Sequence, residues 1–246
     1  MNFRLPIVGG CLAVAFLAGC SVDNNPDSSL QEVAAAAYRS AEPPSLTVFT
    51  MVNNRTGDGG HSALMVNGSQ RVIFDPAGSF RDDRLPERGD VLYGVTPAWL
   101  QAYKSAHARS TFHVVAQEIP VTAALAEQAL RLVQANGPVP GAFCANATTG
   151  ILRQLDSFQG VDSTFFPAKL MAQLETFPNV STTKLFENDD GDVIDAVRAG
   201  QLAALPQPPA ARAGRPLRRS QKTTLADKAR SRAPSHRTAS RQERSW

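Results

Sequence analysis

Reactive side chains are scarce in this chain: three cysteines, four histidines and three tyrosines in 246 residues, beside only two tryptophans. The histidines lie scattered at 61, 107, 113 and 236. That scatter supports no metal centre, and no cofactor is expected. No internal repeat and no nucleic-acid-binding motif is present, so nucleic acid is not an expected partner. The acidic run Glu187-Asn188-Asp189-Asp190-Gly191-Asp192 lacks the terminal glutamate and the ligand spacing of a calcium loop. Capping of a following helix by Asp189 or Asp190 is the better reading.

Charge is present but divided. From Gln207 to Trp246 there are 11 Lys/Arg and 2 Asp/Glu; from Cys20 to Pro206 there are 13 and 20. A mildly acidic folding region therefore precedes a basic, Pro/Arg/Ser/Ala-rich tail (206–246) that cannot bury a core and is expected to be disordered. Such a tail suits anionic lipid or cell-wall polymer.

The amino-terminal residues have the build of an export leader. Arg4 supplies a positive charge, and Leu5 to Ala18 is an apolar stretch too short to span a bilayer comfortably. Leu17-Ala18-Gly19-Cys20 follows, and resembles the lipobox of bacterial lipoproteins. The resemblance implies cleavage after residue 19 and a membrane anchor on the acylated Cys20. Ser21 in the next position resembles the outer-membrane sorting signal, facing the periplasm. Several acyl chains, as this modification adds, give a stable anchor where one alone does not. On this reading 1–19 is a signal, 20–44 a tether, 45–205 the folded domain and 206–246 the tail.

Cys11 then leaves with the leader and Cys20 carries lipid, so Cys144 is the single free thiol of the mature chain. An unpaired cysteine in an oxidising compartment is either buried and inert or reactive.

Strands are expected at 46–52, 61–66, 71–74, 90–93 and 111–119, with helices at 97–107, 122–135, 144–155, 168–174 and 193–202, and a short one near 30–39. Asn67-Gly68 reads as a hairpin turn in which both residues tolerate positive φ. Residues 81–88 read as a polar loop. Hairpin strands mixed with helices give an α+β domain, with helices packed on an antiparallel sheet.

Cys144 directly precedes a helix. A sulfur there sees the positive end of the helix dipole and unpaired N–H groups, which favour thiolate over thiol and could hold an oxyanion. His61 opens a strand after the Gly-rich loop 57–60, where an imidazole can take up and return the proton. Asp75 lies one hairpin turn away as a candidate orienting acceptor. Gln117, on a later strand, is held in reserve. His113 falls within a strand, and His107 falls near a helix C-terminus, where a cation is stabilised.

The runs His61-Ser62-Ala63-Leu64-Met65-Val66-Asn67-Gly68 and Arg71-Val72-Ile73-Phe74-Asp75-Pro76 resemble the histidine hairpin of circularly permuted NlpC/P60-type papain-like proteins. Phe143-Cys144-Ala145-Asn146-Ala147-Thr148-Thr149-Gly150-Ile151-Leu152 is similar to their cysteine helix, although many relatives carry Asn before the cysteine. The likeness covers about residues 46–155. It implies a Cys–His hydrolase or acyltransferase with Cys144 as nucleophile, His61 as base and acid, and Asp75 or Gln117 as orienter. For an exported protein it implies wall peptides, or lipid acyl groups, as substrate. The alternative is a non-catalytic envelope lipoprotein that uses the same fold for binding or scaffolding. A solute-binding role is weaker, because the chain is short for two lobes.

Overall fold

The segment Ser45–Asn53 (β1) sets Thr47 and Thr50 among large apolar residues and is buried along its length except at Asn53. Its β-branched and aromatic side chains suit a strand covered on both faces. It lies at the centre of an antiparallel sheet, between Gly59–Asn67 (β2) and Phe112–Pro120 (β6). Beyond β2 come Arg71–Phe74 (β3), Val91–Leu92 (β5) and Glu87–Arg88 (β4); beyond β6 comes Ser181–Leu185 (β7). The spatial order is β4-β5-β3-β2-β1-β6-β7. This architecture is seen in a computed structural model, which describes residues 26–204 apart from 79 and 192. The expected leader, the expected lipidation site Cys20 and the basic tail lie outside the described residues, as does His236. No helix among the described residues is long and apolar enough to cross a membrane.

Strand alternation divides the core into two layers. On one face Leu46, Val48, Leu64, Val66 and Phe74 pack against Leu130 and Val133 of Ala123–Asn136 (α3), Ile151 and Leu152 of Cys144–Leu152 (α4), and Leu170 of Pro167–Leu174 (α5). On the other, Phe49, Met51, Ala63, Met65 and Ile73 meet Tyr103 and Ala106 of Pro97–His107 (α2), with Val193, Ala196 and Val197 of Val193–Ala204 (α6) alongside. Two helix layers around one antiparallel sheet make this an α+β domain.

Several expectations are corrected. The link after β2 forms without positive φ at Asn67 or Gly68; Asn67 instead stays in the strand and donates from Nδ2 to the carbonyls of Glu42 and Pro43. The stretch expected as a tether is attached to the domain from Asp27 onward. A capping box of Ser29 and Glu32 starts Leu30–Ala36 (α1), the Ser28 amide donates to the Glu87 carbonyl, and the Arg71 amide to that of Tyr38. The strand β4 lies within the expected loop 81–88. The polar, mostly exposed β7 carries no apolar alternation and owes its form to pairing with β6. Asp189 and Asp190 do not begin α6; Asp189 pairs with Arg109, whose guanidinium also donates to the Asp190 carbonyl.

Candidate active site

The site forms where β2 runs past the end of β3. The strand β3 pairs with β2 only from Leu64 to Asn67, so Gly59–Ala63 extends beyond it. On the β1 side the register slips there: Met51 faces His61, and Val52 faces Gly59. Gly60 is thus the extra residue of a bulge. Bulges increase local twist and re-aim the neighbouring side chain, here that of His61.

The chain leaves β3 through the turn Asp75-Pro76-Ala77-Gly78, closed by the Gly78 amide donating to the Asp75 carbonyl at 2.9 Å. This folds the Asp75 carboxylate back toward the sheet, on the His61 face. Oδ1 of Asp75 lies 2.7 Å from Nε2 of His61. A Cβ at position 78 would overlap that carboxylate, so the site needs glycine there. Nε2 is thereby engaged, which leaves Nδ1 as the ring nitrogen available for proton exchange.

Cys144 fills the gap beside β2. It is the first residue of α4 and 7% exposed. Its sulfur lies close enough to the His61 ring and to the Ser62 and Ala145 amides for all three to favour its ionised form. The Ser62 N–H is free for this because β3 has already ended. Phe143, at the N-cap, supplies no capping hydrogen bond, so no side chain occupies the first-turn amides of α4.

Electrostatics follow from this packing. Burial alone would push the Cys144 thiol up, but the hydrogen bond and positive charge of His61, with the two amides, bring it below the ordinary thiol value. Burial would likewise depress His61. The Asp75 charge and hydrogen bond outweigh it, with a further contribution from Cys144, and raise the imidazole to about 10. Burial resists ionisation of Asp75 too, yet His61 chiefly, then His107 and the Tyr103 hydroxyl, hold it below its usual range. Each shift runs in the direction that favours a thiolate–imidazolium pair backed by a carboxylate.

Two α2 residues that sequence reading did not assign to the site complete it. The Tyr103 hydroxyl donates to the same Asp75 Oδ1 at 2.7 Å. His107 stacks at 6.1 Å from His61 and bonds through Nδ1 to the Tyr103 carbonyl. His107 is not the helix-end cation expected. Burial, with the nearby charge of His61, pulls it down to about 4, so it is neutral. The i, i+4 spacing of a Tyr and a His flanking the buried Ala106 was the available signal.

A cleft of ≈ 270 Å³ opens beside this group, lined by Gly60, His61, Gly78, His107 and Phe112 among others. Neutral His107 leaves it largely apolar.

The structure thus brings Cys144, His61 and Asp75 together and leaves Gln117 out. Gln117 pairs with Val48 on the opposite face of the sheet and donates to the Met171 carbonyl at 2.9 Å. His113 is also elsewhere, bonded to Asn54 and stacked on Phe186. No family model matches the chain, and neither curated proteins nor solved structures give a match.

Proposed function

We propose that this chain is a thiol hydrolase or acyl-transfer enzyme of permuted NlpC/P60-like architecture, borne on a bacterial envelope lipoprotein anchored through Cys20. One observation carries the reading: a helix start, a strand and a turn bring sulfur, imidazole and carboxylate together, with His61 bonded to Asp75 at 2.7 Å and close enough to Cys144 to lower its thiol. The chain order, with the histidine hairpin before the cysteine helix, is that of the permuted papain-like proteins.

The chemistry follows from the geometry. The Cys144 thiolate attacks a carbonyl carbon, and the carbonyl electron pair moves to oxygen, where open amides at the start of α4 hold it. Collapse of the tetrahedral adduct breaks the bond to the leaving group, which takes the proton from His61. His61, now neutral, removes a proton from water or an acceptor amine, whose attack releases the acyl group and restores the thiolate. Asp75 stabilises the imidazolium and orients the ring throughout. Amide, isopeptide, ester and thioester carbonyls all fit this sequence. An envelope location favours wall peptides, with lipid acyl groups second. The basic tail suits contact with anionic envelope polymers.

The test is acyl trapping. Mature protein is mixed with p-nitrophenyl acetate, with isolated muropeptides and with phospholipid vesicles, and intact mass is followed. An acyl adduct on Cys144, lost together with turnover in Cys144→Ser, is the expected result. Turnover unchanged in Cys144→Ser would overturn Cys144 as nucleophile, and neither adduct nor turnover from any donor would leave the non-catalytic binding protein instead.

A further inference from the structure

Asp90 lies apart from the reacting groups but joins the two segments that carry them. Its carboxylate Oδ2 accepts from the Ala77 amide at 3.0 Å and from the Val139 amide at 2.8 Å. Its own carbonyl accepts from the Asp75 amide at 2.8 Å. Ala77 belongs to the turn that presents Asp75, and Val139 to the loop that leads into Cys144. The side chain is buried, with 6% exposure for the residue.

The backbone around this carboxylate is strained in a way that needs support. Four described non-glycine residues have left-handed φ, and three of them serve this scaffold: Ala77 at 56°, Asp90 at 61° and Ala142 at 68°. Such conformations persist only where surrounding contacts hold them, and they cluster at functional sites. Gly89, at φ 57°, precedes Asp90, and a Cβ there would press on the backbone of Gly137 at 3.3 Å. The two chain segments therefore approach closely, and one oxygen joins them.

We propose that Asp90 is a positioning residue: through that single oxygen it ties the Asp75 turn to the Cys144 loop and fixes the reach between imidazole and sulfur. The proposal rests on the thiol chemistry above. It acts by hydrogen-bond acceptance rather than by charge. An asparagine oxygen in the same place can accept from both amides, whereas alanine can accept from neither.

The test compares Asp90→Asn, Asp90→Ala and Val139→Pro in the full chain. Two readouts are used: exchange rates of the Ala77 and Val139 amides, and iodoacetamide alkylation of Cys144 at pH 6.5. Asp90→Asn is expected to keep both amides protected and the alkylation rate within about twofold of wild type. Asp90→Ala is expected to release both amides and slow alkylation by about tenfold or more, as misplacement by a fraction of an ångström does. Val139→Pro removes one donor, leaves Asp90 itself intact, and is expected to slow alkylation while Ala77 stays protected.

An Asp90→Ala protein that exchanges and alkylates as wild type overturns the proposal, as does Asp90→Asn behaving like Asp90→Ala. Should Asp90→Ala fail to fold, the Asn and Pro variants decide: wild-type alkylation in Val139→Pro refutes the tie. A wild-type Cys144 no more reactive than free cysteine would defeat the enzyme reading. The exchange rates would still decide whether Asp90 joins the two segments.

Discussion

Consecutive helices α3 and α4 both lay an apolar stripe on the same face of the sheet, yet they begin in opposite ways. At α3, Thr122 has the extended backbone of a capping residue and its hydroxyl accepts from the Leu125 amide at 3.2 Å. At α4, Phe143 sits at φ −101°, ψ 7°, offers no acceptor, and leaves the first-turn amides without a side-chain cap, with that of Ala145 beside the Cys144 sulfur. A cap is worth about 1 kcal/mol. Its absence at α4 makes sense if those amides serve an anion instead. One start is built for stability, the other for charge.

The largest break in this contrast comes from removing the partner that charges the sulfur. His61→Ala should lower turnover of any donor by about 10²- to 10⁴-fold, the span of general acid–base catalysis. Steady-state kinetics on the donor that acylates Cys144 measures it.

The same residue links the site to stability. The folded chain raises His61 from 6.5 to about 10, so it holds this proton more tightly than the unfolded chain. The stability so contributed is fully present below pH 6.5 and is lost as pH rises through about 10. The urea-unfolding difference between wild type and His61→Ala should therefore shrink by a few kcal/mol across that window.

A smaller effect sharpens the comparison at α4 itself. Phe143→Asp sets a second negative charge beside the open amides, where it competes with the thiolate. Alkylation of Cys144 at pH 6.5 should slow by roughly tenfold, the equivalent of one unit in the thiol's proton affinity. The smallest effect belongs to the closed start. Thr122→Ala should cost about 1 kcal/mol of stability in chemical denaturation and leave turnover unchanged.

How much of this was legible in the sequence depended on distance along the chain. β1, the β2–β3 hairpin and α3 follow from periodicity and turn residues, and the structure has them within a residue or two of expectation. Cys144 was conspicuous as a lone thiol before a helix, and His61 and Asp75 share one hairpin. Gln117 failed as an orienter because strand alternation puts it on the far face, which local pattern does not reveal without register. His107 departs from the helix-end cation its position suggests because burial outweighs the helix dipole, and burial is a tertiary fact. Asp90 reads as an ordinary turn residue at the start of a short strand. Its two amide partners come from segments far apart in sequence, so no spacing rule could mark it. β7 is legible only through its neighbour.

The most direct test of the central claim is the pH profile of iodoacetamide alkylation at Cys144, followed by peptide mass. An ion pair predicts fast alkylation that persists well below pH 9, the ordinary thiol value, and a return to the titration of a free cysteine in His61→Ala. A wild-type profile that already follows a free cysteine, and that His61→Ala leaves unchanged, would contradict it.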